Sequence, residues 1–258
     1  MRGALLLASN GMRYICDPHI IPACIPEDVV HLQACIETVA GYANWLHVDI
    51  DDGKFVGETS WPFRLPAHIA ELSSFKTTVH IPEGLSLEVH LMTRTPRALG
   101  EAFAGAGFKR IMLHREAFDD FENVRAALAA LKAAGAEEAG LSLKIETPLS
   151  VLEDSIDSCD FVHLMSIADI GSQGHAFDER ILSRVEDLHA RYPELMVSVD
   201  GGVSEATIED LVRAGANRLI VGHALMESAS PAKTYASMLE RALRGCIPAS
   251  HAQEPVNA

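Results

Sequence analysis

The 258-residue chain sets 36 Asp and Glu against 21 Lys and Arg, a net charge of -15, which argues against a nucleic acid or an anionic membrane as its main partner. No apolar run approaches the roughly 20 residues of a membrane span, and the length suits one large domain. Five scattered cysteines, Cys16, Cys24, Cys35, Cys159 and Cys246, form no C-x-x-C pair, which points to a reducing cytoplasm.

Residues 1–12 read as an N-terminal extension, whose apolar part of about five residues is shorter than the core of a signal peptide. Short apolar runs then alternate with amphipathic, alanine-rich stretches, the pattern of βα units on a parallel sheet. Strands are expected over Ile20 to Ile25, Trp45 to Asp51, Ser86 to Met92, Arg110 to His114, Gly140 to Ile145, Phe161 to Ile167, Met196 to Asp200 and Arg218 to Gly222. Helices are expected over Pro26 to Ala40, Leu65 to Ser73, Pro96 to Ala106, Phe118 to Ala134, Pro148 to Ser155, Asp178 to Arg191, Ser204 to Ala214 and Pro231 to Arg244. Thr95, Thr147 and Ser230 each precede a proline as an N-cap would, and Gly107, Gly135 and Gly215 stand where helix C-caps want a left-handed residue. Residues 76–85 are long for a link and leave room for a small extra strand. Eight such units predict a single-domain (β/α)₈ (TIM) barrel over residues 13–245, with 246–258 a flexible tail.

Functional side chains of such a barrel gather at the C-terminal ends of its strands. His47 and Asp49 share one face of the second strand because side chains two apart point the same way. His90 ends the third strand and Asp200 the seventh. Two imidazoles and two carboxylates suit one divalent ion, Zn, Fe, Mn or Co. In an eight-membered ring the third and seventh strands are diametrically opposed and the second lies three away from the seventh, so Asp49 and Asp200 can approach a flat substrate from opposite sides. That is the requirement for inverting a carbon next to a carbonyl. Glycine turns follow the last three strands, at Gly171 to Gly174, at Gly201 and Gly202, and at Gly222 before His223. Their amides can cradle a phosphate.

These blocks resemble the ribulose-phosphate 3-epimerase family. His47-Val48-Asp49-Ile50-Asp51-Asp52-Gly53 is similar to its H-V-D-V-M-D-G, Val89 to Met92 to its V-H-L-M, Val199 to Gly202 to its V-D-G-G, and Ala214 to Asn217 to its A-G-A-N. The resemblance implies His47, Asp49, His90 and Asp200 as metal ligands, Asp49 and Asp200 as the acid/base pair, and Met92 and Met165 as an apolar floor. The implied reaction joins D-ribulose 5-phosphate and D-xylulose 5-phosphate. An epimerase for a related phosphoketose and a non-catalytic phosphosugar-binding barrel stay open as alternatives. Decarboxylases of the same barrel use Asp-x-Lys-x-x-Asp, whereas Asp51 follows Asp49-Ile50 here.

The departures are Ala23 where the family has serine, Asp51 in place of a methionine, an altered loop at 165–175, and His223 in place of a serine. Gly171, Gly174, Gly201, Gly202, Gly222 and His223 are expected to hold phosphate, with His175 as a further donor. Met92, Met165, Asp51, His114 and His175 are expected to line the substrate. Lys144 either meets an anion or covers the rim. His163, in mid-strand, reads as a packed residue. A small sugar phosphate and a homo-oligomer are the expected partners.

Overall fold

A computed structural model of the chain describes residues 4–7, 13–65 and 68–246. The order is β1 (Ala4–Leu7), β2 (Arg13–Cys16), β3 (His19–Cys24), α1 (Val29–Val39), β4 (Trp45–Asp51), α2 (His68–Thr78), β5 (Ser86–Met92), α3 (Pro96–Ala106), β6 (Arg110–His114), α4 (Phe121–Ala133), β7 (Glu138–Leu143), β8 (Phe161–Met165), α5 (Arg180–Arg191), β9 (Met196–Asp200), α6 (Ile208–Ala214), β10 (Arg218–Val221), α7 (His223–Met226) and α8 (Pro231–Gly245). Strands β3 to β10 pair in parallel and close on themselves, β10 meeting β3 from Arg218↔His19 to Val221↔Pro22. The expected (β/α)₈ barrel is therefore present.

Period-two alternation sorts each strand into two shells. On β4, Leu46, Val48 and Ile50 join the large apolar cluster between sheet and helices, so His47, Asp49 and Asp51 point into the barrel. On β5, Leu87, Val89 and Leu91 face outward in the same way, leaving Glu88, His90 and Met92 inside. Gly140 admits the inward ring of Phe161, which lies 2.6 Å from where a Cβ would sit.

The floor of the barrel is ionic. Arg110 donates to Glu88 (3.2 Å) and to Glu138 (2.9 Å), and Arg218 donates to Glu138 (2.6 Å). The guanidinium of Arg110 also stacks 3.5 Å from the Trp45 ring centroid.

Several expectations are corrected. Between β7 and β8 the chain makes two 3₁₀ turns, Leu149–Leu152 and Ile156–Ser158, in place of a helix over 148–155. Ser150, Val151, Asp154 and Ser155 are weak helix formers whose stiff or hydrogen-bonding side chains compete with the helical backbone. Residues 76–85 hold no strand: α2 runs to Thr78, five residues beyond its expected end, and the rest is irregular. Thr95 and Ser230 do precede proline at helix starts, but neither hydroxyl makes a capping bond. Gly107 and Gly215 are left-handed C-caps as expected (φ 102° and 116°).

The cysteines also differ. Cys16 is bonded to Cys246 across 230 residues, because closure of the barrel returns the end of α8 to the side where β3 begins. Cys24, Cys35 and Cys159 are free. Strand β1 pairs with β2 from Ala4↔Cys16 to Leu7↔Arg13, so the hairpin runs across the expected boundary at residue 12. Of the expected tail, Cys246 is buried and bonded; residues 247–258 lie outside the described residues. No helix among the described residues is long and apolar enough to cross a membrane.

Candidate active site

The end of β4 is clamped before any chemistry is placed. Ser60 Oγ accepts from the Asp51 N–H (2.8 Å) and donates to the Asp49 carbonyl (3.2 Å). Asp52 then turns the chain, one carboxylate oxygen accepting from the Lys54 and Phe55 amides (both 2.8 Å) while Gly53 takes φ 69°.

The register Asp49↔His90 between β4 and β5 brings the first three side chains together. His47 Nε2 lies 3.2 Å and His90 Nδ1 3.0 Å from Asp49 Oδ1. Asp200 Oδ2 arrives from β9 at 3.8 Å from each of the same two nitrogens. Behind them stand carboxylates that decide where the imidazole hydrogens sit. Glu88 takes the His47 Nδ1–H at 2.8 Å, so Nε2 is the nitrogen presented to Asp49 and Asp200. His90 Nε2 lies 2.9 Å from His114 Nε2, whose Nδ1 lies 3.0 Å from Glu116.

The electrostatics are those of an acceptor-rich pocket. Burial opposes charge on His47, but Asp49 and Glu88 outweigh it and raise its pKa well above the ordinary value. Burial alone would raise Asp49; His47 and His90 hold it below the usual carboxylate range. Burial, then the Asp49 charge, push Asp200 up to about 6. Burial is also the main reason His90 and His114 are lowered. Burial would raise Glu116, but His114, Thr147 and the Lys144 amide hold it at about 2.

A cavity of about 220 Å³ opens above this group. Asp49, Asp200, Met92 and Met165 form its floor, and Gly171, Gly174, His175, Gly201, Gly202, Gly222 and His223 its wall. Gly202 has φ 64°, and a Cβ there would lie 2.7 Å from the Phe177 backbone, so that turn requires glycine. His175 is tied to Ser172 at 2.6 Å and the exposed His223 to Glu227 at 2.9 Å.

Other expected residues fall elsewhere. His114 is fully buried behind His90 and is not on the cavity wall. Lys144 lies 4.3 Å from the Phe55 ring, covering the rim rather than the cavity. Asp51 borders an adjoining cavity of about 560 Å³, and neither of its buried carboxyl oxygens has a partner. Its pKa is pushed up to about 9, by burial first and then by the Asp49 charge.

Three residues of the group were not singled out from sequence: Glu88, Glu116 and, passed over as packing, His163. His163 Nε2 lies 3.3 Å from Asp200 Oδ2 without hydrogen-bonding geometry, and its ring stacks on His47 at 5.4 Å. Glu88 precedes His90 by two and His163 precedes Met165 by two, so period two would have put both inside the barrel.

The donor set fits a divalent cation. Ligand atoms of His47, His90, His163 and Asp200 lie within 4.8 Å of one another, near twice a metal–ligand bond of ~2.0–2.2 Å. With Glu88 holding the His47 Nδ1 hydrogen, Nε2 is the His47 atom that a cation at this point would take, in place of the proton that the raised pKa keeps there otherwise.

Fold and site together define a (β/α)₈-barrel protein with a His/Asp centre, able to hold a metal, at the mouth and glycine turns above it. The chain belongs to the ribulose-phosphate 3 epimerase family, whose model matches residues 19–226. It is 31% identical over 229 residues to the ribulose-phosphate 3-epimerase of Mycobacterium leprae, covering 87% of this chain and 95% of the relative. The ribulose-phosphate 3-epimerase of Aquifex aeolicus is 32% identical over 203 residues, 77% and 82% of the two chains. In solved structures the barrel is similar to 3-hexulose-6-phosphate synthase from Salmonella typhimurium (TM-score 0.65, 13% identity, covering 88% of this chain and 99% of the other). It is likewise similar to 3-keto-L-gulonate-6-phosphate decarboxylase from Vibrio cholerae (TM-score 0.64, 17% identity, 90% and 100%). The last two show the fold alone; the family makes this chain an isomerase of the epimerase type.

Proposed function

We propose that the enzyme inverts C3 of a ketose phosphate, interconverting D-ribulose 5-phosphate and D-xylulose 5-phosphate, with Asp49 and Asp200 as the two bases. The observation that carries this reading is the entry of two carboxylates into one small cavity from β4 and β9, three strands apart around the barrel mouth. Asp49 takes the C3 proton from one face, the C–H electrons become the C2=C3 bond of a planar enediolate, and Asp200 returns a proton to the other face. In the reverse direction their roles exchange. A divalent ion held by His47, Asp49, His90 and Asp200, one of Zn, Fe, Mn or Co, supplies Lewis-acid stabilisation of the oxyanion. Met92 and Met165 keep water from the planar carbon skeleton, and the amides of Gly171, Gly174, Gly201, Gly202, Gly222 and His223 bind the phosphate, with His175 beside them. Asp51 and Ala23 leave a related phosphoketose as the second reading, because they remove a hydroxyl and add a carboxyl beside the site.

Incubation of the metal-loaded protein with ribulose 5-phosphate in D₂O is expected to place deuterium at C3. Absence of exchange with each of the four metals would overturn the assignment, and exchange only with another ketose phosphate would establish the second reading. The proposed setting is the cytoplasm, which keeps charged sugar phosphates enclosed; the Cys16–Cys246 disulfide weighs against it, because such bonds are rare there. The proposed homo-oligomer is read by light scattering.

A further inference from the structure

The tautomer of His47 is set by one carboxylate in direct contact. The outer nitrogen of His90 has no such carboxylate and meets another imidazole. We infer that Glu116 and His114 form a positioning relay, in which Glu116 orients His114 and His114 sets the hydrogen of His90, so that the His90 Nδ1 lone pair is turned toward Asp49.

The relay is read from the outside inward. Glu116 Oε1 accepts from the Lys144 amide (2.8 Å) and from the Thr147 hydroxyl. That anchors the carboxylate, and its second oxygen lies 3.0 Å from His114 Nδ1. A carboxylate only accepts, so His114 must carry its hydrogen on Nδ1. His114 Nε2 is then a lone pair, and the His90 Nε2 only 2.9 Å away must donate to it. Ser142 Oγ stands 3.1 Å from His90 Nε2 and can accept from the same hydrogen. One proton per ring is then spent, and His90 Nδ1 is bare at 3.0 Å from Asp49 Oδ1.

An ion on His90 Nδ1 excludes a hydrogen there, and the opposite arrangement is disfavoured at the outer end as well. If His90 gave its Nδ1 hydrogen to Asp49, His114 would have to carry its own on Nε2. A bare His114 Nδ1 would then face the Glu116 carboxylate inside the protein. A buried acceptor left facing an acceptor costs about 1–3 kcal/mol. Phe55 packs its ring 4.8 Å from that of His114 and helps to close the relay from solvent.

The inference rests on the reading that a divalent ion occupies the His47, Asp49, His90 and Asp200 group, and it adds two residues that touch neither ion nor substrate. It is tested with zinc on the full chain. Long-range ¹H–¹⁵N correlation of histidine-labelled, zinc-loaded protein is expected to show His114 as the Nδ1–H tautomer and His90 as the Nε2–H tautomer. His114→Phe, assigned in the same spectra, is expected to weaken zinc binding by about 10- to 100-fold against a competing chelator. His114→Gln, which keeps an acceptor, and Glu116→Asp, which keeps the carboxylate, should recover part of that loss. An Nε2–H tautomer at His114, or wild-type zinc affinity in a folded His114→Phe, would overturn the relay. Should His114→Phe fail to fold, the wild-type tautomers and Glu116→Asp decide the matter alone. Failure of the wild-type protein to take up zinc or any other divalent ion would instead strike the ion reading, and the relay that rests on it would fall with it.

Discussion

The floor and the mouth of the barrel both bury charged or titratable groups and treat them in opposite ways. On the floor, Glu88 and Glu138 face Arg110 and Arg218 at 2.6 to 3.2 Å, two carboxylates against two guanidiniums. Among the described residues no guanidinium enters the mouth: Asp49 and Asp200 meet imidazoles, and both oxygens of Asp51 and both nitrogens of His163 have no hydrogen-bond partner, whereas the floor leaves only two nitrogens of Arg218 in that state. A balanced network holds strands in register. An unbalanced one is stable only with something added from outside, and here that difference marks where function lies.

The largest effect is expected from the mouth carboxylates. Asp49→Asn or Asp200→Asn should lower the rate of C3 inversion by about 10³-fold or more, the scale of losing a positioned acid or base and the charge that holds the ion. The fold should remain, as read by circular dichroism. Retention of wild-type turnover in either variant would refute the paired roles. Next comes the floor. Arg110→Met leaves the Glu88 charge buried against His47 alone and is expected to cost about 3–5 kcal/mol in denaturant melts. Adding Glu88→Leu should recover stability. It should also weaken metal binding, because His47 loses the acceptor of its Nδ1 hydrogen; the double variant thus reads the two regions apart.

The sequence made the barrel legible, since alternating periods of two and 3.6 residues need no tertiary information. It also made His47, Asp49, His90 and Asp200 legible as strand-end groups at one mouth. What it hid depends on contacts between strands. His114 was expected to touch substrate; the pairing His90↔Met112 places it one step further along, behind His90. Glu116 lies in the 3₁₀ turn Arg115–Ala117 just beyond, where the strand period no longer applies. His163 sits in an apolar run that reads as packing, and it meets His47 and Asp200 only because β8, β9 and β4 curve into one ring. The Cys16–Cys246 bond likewise requires knowing where the two ends of the chain arrive.

The comparison predicts a reversal of sign at Asp51. Removing a floor charge destabilises, whereas Asp51→Met, which replaces an unpartnered buried carboxyl by an apolar side chain, should stabilise the metal-free protein by about 1–3 kcal/mol. The adjoining cavity gives the longer chain room. A fall in melting temperature would mean that Asp51 has a partner in solution, and the contrast between floor and mouth would weaken.

Glu116 is the mouth residue that resembles the floor, because its carboxylate is fully partnered, and its pH dependence should show this. Its pKa falls from 4.5 to about 2 on folding, so between those values the unfolded chain binds more protons than the folded one. Stability contributed by the group is therefore complete above the unfolded value and is lost as the pH drops through the folded one. The stability difference between wild type and Glu116→Gln should be on the order of 2 kcal/mol at neutral pH, reduced from the full linkage value because glutamine keeps an acceptor for His114. It should be constant down to about pH 5 and shrink steadily toward about pH 2. A difference that instead grew on acidification would place a proton on the folded Glu116 carboxylate, which would remove the acceptor that orients His114 and detach the mouth from the one balanced contact it has.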